Sequence, residues 1–415
     1  MSPRKFLPIL MLGWAIGAMC AGLVSGTLTL IKSDLNLTNQ QAGVILSSWS
    51  FGMLIGAFLF GFIADRIGRR YSLQVTMLLI GVFTSLSSAA SGLVDLSFYR
   101  IVAGAANAGY MVVASTLMSE YAPAMSRGRY IAVLESSWAL GWLLSLVLAR
   151  VIAPLYGWRQ VFLSALVALP LTLVFYFMIP ESLRFLVMRG RVEEAKRLSE
   201  KLGMPLPPPS SKTGSLSEIL RPPYLQRTIM LWIHWFAIAL TYWGIFLWLP
   251  DILKSKGLDY AKSLEFAIII TLAQIPGYIS AAYLVEKVGR KPVLAGYMFL
   301  AGVSSVGVFL AGSQTDLLVW GSLVSMFNLG AWGITYAYTP ELYPTRLRGT
   351  GSGWANSFGR IGGIVGPYIA GALIQTFNDP LVPFTVFAAM HLVSATVVYL
   401  LGVETKGLEL EEISP

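Results

Sequence analysis

Apolar residues run along this chain in twelve stretches, each bounded by short polar turns marked with Gly, Pro or clustered charge. They fall at 7–31, 41–64, 71–91, 95–119, 130–151, 158–179, 226–250, 261–285, 291–311, 316–339, 350–374 and 381–402. About 20 apolar residues at ~1.5 Å each cross a ~30 Å hydrocarbon layer. Each stretch therefore predicts a spanning helix, and they are called helices 1 to 12 below. The one long connection, 180–225, holds GRVEEAKRLSEKLG, a charged stretch with helical propensity, and then PLPPPSSKTG. The Pro and Ser density of the latter predicts an extended tether. The charges of the former suit a solvated helix on the cytoplasmic face.

Composition agrees with the pattern. Of 415 residues, 55% are hydrophobic and only 12% charged, against about 25% charged in soluble domains. Mean hydropathy is +0.67. The expected fold is an all-α membrane protein. Of the 30 basic residues, 22 fall on the side that holds the N-terminus, the long connection and the C-terminus. Six lie opposite (Lys32, Arg150, Arg159, Lys254, Lys256, Lys262), and Arg100 and Arg360 sit within helices. The positive-inside rule then puts both termini in the cytoplasm, with the chain in the plasma (inner) membrane. The net charge of +9 is an orientation signal and does not imply a nucleic-acid partner. The first stretch is long enough to span and lacks an A-x-A cleavage pattern, so it reads as helix 1 and not as a signal peptide. The single cysteine, Cys20, excludes an intrachain disulfide and a cysteine-cluster metal site. With no phosphate loop and no catalytic constellation, neither a primary pump, an enzyme, a metal site nor a cofactor is expected.

The chain repeats itself. At a shift of 221 residues, DRIGRR (65–70) falls on EKVGRK (286–291), and Glu120, Arg127 and Gly128 fall on Glu341, Arg348 and Gly349. The same shift pairs Asn107 with Asn328, Glu135 with Asn356, and Gly141 with Gly362. Two six-helix halves are expected, 1–180 and 226–403, joined by a linker at 181–225 and followed by a tail at 404–415. Parallel halves with a ligand site near the midplane are a transporter plan.

Several motifs then resemble the major facilitator superfamily. GFIADRIGRR (61–70) is similar to its loop 2–3 signature, and RIVAGAANAG (100–109) to its helix-4 motif. PESLRFL (180–186) and VETKG (403–407) resemble cytoplasmic motifs of the sugar-porter branch. ESSWALG (135–141) and YTPELYPTRLRGTGSGWANSFGRIGG (338–363) look closer to metabolite carriers related to synaptic vesicle proteins, which include bacterial nicotinate and aromatic-acid carriers. The resemblance covers nearly the whole chain. It implies alternating access and a cytoplasmic latch in which Asp65 meets the start of helix 11. Arg66, Gly68, Arg69, Arg70, Glu120, Arg127, Arg129, Glu181 and Arg184 would extend that latch, mirrored by Glu286, Arg290, Glu341 and Arg348. Each surface ion pair is worth only ~0–1 kcal/mol, which suits a contact that breaks and re-forms.

Ionised groups inside a bilayer cost ~2.5–3.5 kcal/mol on insertion scales and so face a cavity or a partner. Glu135 lies about five residues into helix 5, on one stripe with Trp138 and Trp142 (i, i+3, i+7). Arg360 lies near mid-depth on helix 11, one turn from Asn356. Arg100 opens helix 4, on a face with Asn107. Animal organic anion transporters resemble this sequence and carry an arginine at the position of Arg360. A guanidinium also matches a carboxylate in two-pronged fashion. In sugar porters a helix-1 acid pairs with the helix-4 arginine. Here Cys20 stands about there, leaving Arg100 without that partner and Glu135 as the only acid inside the N-half span. Glu135, with Arg100, is therefore the expected proton-coupling group; a structural acceptor or direct ligand role is the alternative. By the same resemblance helices 1, 4, 7 and 10 line the cavity, which makes Trp235, Tyr242, Trp332 and Tyr336 candidate walls. Gln274 and Tyr278 (i, i+4 on helix 8), Asn107, Asn328 and Asn356 complete the candidate ligand set. His234 reads as a structural histidine.

These readings converge on a monomeric, proton-coupled secondary transporter of a small organic anion, plausibly an aromatic or heterocyclic carboxylate. The lipid bilayer is its surroundings. The alternatives are a facilitator of neutral sugars or polyols, and a non-transporting binding protein of the same fold.

Overall fold

The computed structural model describes residues 6–122, 127–202, 206, 215–344 and 346–407, with Arg127 and Gly128 described by their backbone only. The stretch 207–214 of the expected tether lies outside them. Twelve helices among the described residues are long and apolar enough to span a membrane. In order they are Leu7–Asp34, Asn39–Ile67, Arg69–Ala89, Leu93–Tyr121, Arg129–Tyr156 and Trp158–Met178, then Leu225–Ser255, Tyr260–Lys287, Arg290–Phe309, Gln314–Glu341, Arg348–Phe377 and Pro383–Leu401. Each agrees with its apolar stretch to within five residues at either end. Most overrun it, because backbone hydrogen bonding continues past the hydrocarbon into residues that are charged but helix-compatible, such as Asp65 and Arg66 on helix 2.

Contacts divide the chain into two compact units. The first comprises the described residues of Met1–Thr27 and Ser48–Ser211, the second those of Leu28–Ser47 and Lys212–Pro415. One division falls between residues 211 and 212, within the linker. A hairpin of residues 28–47, which belongs to the N-terminal half in sequence, packs with the second unit.

Small residues set the helix packing within each unit. A Cβ on Gly141 (helix 5) would stand 2.0 Å from the Ala15 carbonyl oxygen of helix 1. A Cβ on Gly362 (helix 11) would stand 2.2 Å from the Phe236 carbonyl oxygen of helix 7. Both members of the second contact are the first pair moved by 221 positions. The same holds for Gly56 against the Ala105 carbonyl and Gly277 against the Met326 carbonyl, at 2.0 and 2.1 Å. Without a hydrophobic drive between helices in lipid, association relies on such close backbone approach. The repeat is therefore a repeat of packing, not of motif alone.

Two turns require glycine for another reason. Gly68, between helices 2 and 3, has φ +100°, and Gly289, between helices 8 and 9, has φ +123°. Side-chain-bearing residues rarely adopt this region. In the linker, Leu183–Met188 begins at Ser182, whose hydroxyl accepts the Phe185 N–H at 3.1 Å. Val192–Leu202 forms the expected charged helix. Ser215 and Glu218 form a capping box at Leu216–Ile219. The Ser215 backbone N–H, and then the Arg346 guanidinium, hold the Glu218 carboxylate below the usual glutamate range.

Candidate transport site

In the first unit, Arg100 is fully buried. Its Nη1 and Nη2 donate to the backbone carbonyls of Cys20 and Ala21, both at 2.8 Å, and its guanidinium lies 4.3 Å from the Trp49 ring centroid. Helix 1, which lacks an acid here, meets this arginine with carbonyl oxygens at the position where the acid is missing. Asn107 is also buried. Its Oδ1 presses on helix 1 at Gly17, where a Cβ would come within 2.1 Å. Glu135 is half-buried on helix 5, and among the described residues no hydrogen bond or ion pair engages its carboxylate. One turn on, the Trp138 and Trp142 rings stack with centroids 6.5 Å apart.

In the second unit, the aromatic residues picked out by helical spacing come together. Trp235 meets Trp332 and Tyr336 edge-on at 5.5 and 5.2 Å. Tyr242 meets Trp332 edge-on at 5.8 Å, and Trp332 stacks on Tyr336 at 5.7 Å. Four rings from helices 7 and 10 thus form a continuous aromatic cluster. Edge-to-face and offset geometries are the favoured ones, each worth ~0.5–1.5 kcal/mol beyond area burial. Arg360 is half-buried on helix 11. Asn356 is half-buried one turn away.

A buried polar web backs this cluster, and most of its side chains were missed by sequence reading. Thr335 donates its hydroxyl hydrogen to the Ala331 carbonyl at 2.7 Å, so it can only accept from His234 Nε2–H, also at 2.7 Å. His234 Nδ1 then accepts from Ser394 at 2.7 Å. Thr339 accepts the Trp235 indole N–H at 2.9 Å and itself donates to the Thr335 carbonyl. Outside this ladder, the Asn328 amide Nδ2 donates to Thr241 at 3.0 Å and to His391 Nε2 at 2.9 Å. His391, on helix 12, gives no spacing signal in sequence; its one mark is that it is one of only two histidines in the chain. Asn328 is thus committed to the web and fully buried, although spacing suggested a ligand contact. Gln274 is buried on helix 8, and Tyr278 lies against Gly333 of helix 10.

The basic ends of the two units carry matching charge assemblies. In the first, Glu181 accepts the backbone N–H groups of Arg69 and Ser182, both at 2.8 Å, capping helix 3. Asp65 pairs with Arg69 at 2.8 Å, and Glu120 accepts from the Ser182 hydroxyl. In the second, Glu404 accepts the N–H groups of Arg290 (3.0 Å) and Thr405 (2.9 Å), capping helix 9. Arg290 pairs with Glu286 at 3.6 Å and with Glu341 at 3.4 Å, and Glu341 accepts from the Thr405 hydroxyl at 2.6 Å. Glu404 is the counterpart of Glu181 that the repeat did not single out, because its partner motif is offset by two further residues. Among the other latch candidates, Arg66 lies over the Phe62 ring and Arg70 over Tyr71 and Tyr176. Arg348 donates to the Pro340 carbonyl at 3.1 Å. Arg129 and Arg184 are exposed. The Arg127 side chain lies outside the described residues.

Twelve helices able to span a membrane, in a duplicated arrangement, define a multi-pass membrane protein. Residues 6–415 match the model of the family described as sugar (and other) transporter, and the chain belongs to that family. It is 38% identical to a niacin transporter from Acinetobacter baylyi, over 97% of this chain and 94% of that one. It is likewise 38% identical to a putative niacin/nicotinamide transporter from Bacillus subtilis, over 99% and 98% of the two chains. In fold it is similar to a proton:xylose symporter of the major facilitator superfamily, with a TM-score of 0.74 at 19% identity over 99% and 98% of the two chains.

Proposed function

We propose that this chain is a proton-coupled carrier of a small aromatic or heterocyclic carboxylate such as nicotinate. The observation that carries the reading is the four-ring cluster of Trp235, Tyr242, Trp332 and Tyr336, in the same unit as the half-buried Arg360. Rings offer a planar apolar ligand faces and edges to pack on, and a guanidinium offers its carboxylate a charged fork. Two relatives named as niacin transporters support the same substrate class.

In this reading Arg360 holds the carboxylate, with Asn356 beside it. Glu135 carries the proton: among the described residues no ion pair engages its carboxylate, so it can load and release one without breaking a structural contact. Arg100, held by helix-1 carbonyls, keeps helices 1 and 4 in register around it. The Glu181 and Glu404 assemblies belong to the latch that alternates during transport, and the basic-residue count supports cytoplasmic termini. The protein works as a monomer in the inner membrane.

Proteoliposomes loaded at neutral pH and diluted into acidic buffer test this directly. Wild type should accumulate labelled nicotinate against its gradient, driven by ~1.4 kcal/mol per pH unit per proton. Arg360→Ala should abolish uptake, and Glu135→Gln should abolish accumulation while leaving nicotinate exchange intact. Full gradient-driven accumulation by Glu135→Gln would falsify the coupling role.

A further inference from the structure

The four rings of the cluster are not equally open. Trp235 and Tyr242 are each only 3% exposed, whereas Trp332 and Tyr336 are half-buried. The two part-open rings stack on one another, 26° apart in plane. Trp235 meets both of them edge-on, at 81° to Trp332 and 87° to Tyr336. A planar ligand can therefore pack on Trp332 or Tyr336, and the tilt of that pair is set against Trp235.

Trp235 is itself fixed. Thr339 accepts its indole N–H at 2.9 Å, and the Thr339 hydroxyl is aimed by its own donation to the Thr335 carbonyl at 2.7 Å. The preceding residue of helix 7, His234, bonds the Thr335 hydroxyl at 2.7 Å. Two successive residues of helix 7 thus hold hydroxyls one turn apart on helix 10, which fixes the rotation of one helix against the other. Gly359 of helix 11 leaves room for the ring, since a Cβ there would come within 2.9 Å of Trp235 Cε3.

The internal repeat shows that these features come as a set. At the 221-residue shift Trp235 falls on Trp14, but Thr339, Thr335 and His234 fall on Met118, Ala114 and Gly13. Trp332 and Tyr336 fall on Met111 and Ser115. The half that lacks the stacked pair keeps the tryptophan and lacks the hydroxyl that would hold it.

We propose that Thr339 is a positioning residue of the ligand site: through Trp235 it holds Trp332 and Tyr336 as a preformed stacked pair. The inference rests on the carrier reading above. Side chains fixed in advance need not be ordered when the ligand arrives, and that ordering would otherwise be lost from affinity.

Initial rates of labelled-nicotinate exchange, measured in proteoliposomes with no pH gradient, test it. Thr339→Val keeps the side-chain outline but offers the indole no acceptor. It should raise KM by ~2–10-fold, the range of one net neutral hydrogen bond, with little change in the maximal rate per folded carrier. Thr339→Ser, which keeps the hydroxyl, should hold the wild-type KM. Trp235→Phe breaks the same bond from the other end and should match Thr339→Val. The double variant should be no worse than either single one, because both remove one interaction. A loss of folded carrier alone lowers the maximal rate and leaves KM where it was. That result, a Thr339→Ser as impaired as Thr339→Val, or additive effects in the double variant overturns the positioning role while the carrier reading survives. Failure of wild type to exchange nicotinate sinks both.

Discussion

The Glu404 carboxylate caps helix 9 through the Arg290 backbone N–H at 3.0 Å and reaches Lys291 N–H at 3.2 Å. The cap stands over Gly289, where a Cβ would come within 2.4 Å of Glu404 Oε2. An anion at a helix N-terminus satisfies orphan donors and meets the positive end of the helix dipole. Glu404→Ala should therefore lower thermal stability by ~1–2 kcal/mol, and Glu404→Gln by less, since the amide oxygen still accepts. Gly289→Ala should cost at least as much as Glu404→Ala, because it strains φ and displaces the cap. Differential scanning fluorimetry of the purified protein would check the order.

Arg100 supplies two parallel donors to two successive carbonyls and a flat face to Trp49. Lysine offers neither the fork nor the plane. Arg100→Lys should then destabilise by ~1.5–3 kcal/mol, the range for charged hydrogen bonds, although the charge is kept. If Arg100→Lys melts with wild type, charge alone matters and the two-carbonyl contact is incidental.

Lys32 and Asp251 pair at 2.7 Å, and Thr29 adds a second 2.7 Å bond to the same carboxylate. Their burial is unequal: the Asp251 side chain is 5% exposed and that of Lys32 19%. An abandoned Lys32 can reach polar surroundings, whereas an abandoned Asp251 cannot. Lys32→Met should thus cost more than Asp251→Asn, up to ~3 kcal/mol. The double variant Lys32→Met/Asp251→Asn should recover part of that loss. Equal costs for the two single variants would argue against the burial asymmetry.

Glycine contacts on helix 11 give an internal control. Gly362→Ala forces a Cβ to 2.2 Å from a backbone oxygen of helix 7, which cannot rotate aside as a side chain would, and should cost ~1–3 kcal/mol. Gly353→Ala meets open space on the same helix and should stabilise by ~0.5–1 kcal/mol. The repeat adds that Gly141→Ala on helix 5 should behave like Gly362→Ala. Chemical-denaturation midpoints in detergent micelles would rank the three.

Hydropathy made the twelve helices legible because lipid imposes one demand on every spanning residue. The 221-residue shift made the packing partly legible too, since Gly141 and Gly362 repeat with the carbonyls they meet. Helical spacing correctly brought Trp235, Tyr242, Trp332 and Tyr336 onto facing stripes. It said nothing of whether Asn328 would turn to the ligand or to His391, because that depends on a residue 63 positions away on helix 12. Lys32 and Asp251, 219 positions apart, were invisible for the same reason: an ion pair has no local period. Glu404 lay in a quoted motif, yet its capping role needed the positive-φ turn at Gly289 to be seen.

The hairpin of residues 28–47 has a consequence for anyone who would build this protein from pieces. Its lysine, its Ser47 hydroxyl (2.6 Å from the Ile364 carbonyl) and the Asn39 backbone all find their partners on residues encoded after the linker. A gene cut in the linker yields a first fragment whose hairpin is left holding bonds it cannot complete alone. The same unmet groups are an address label: two fragments made separately should recognise each other through it, and deleting the label should weaken that recognition.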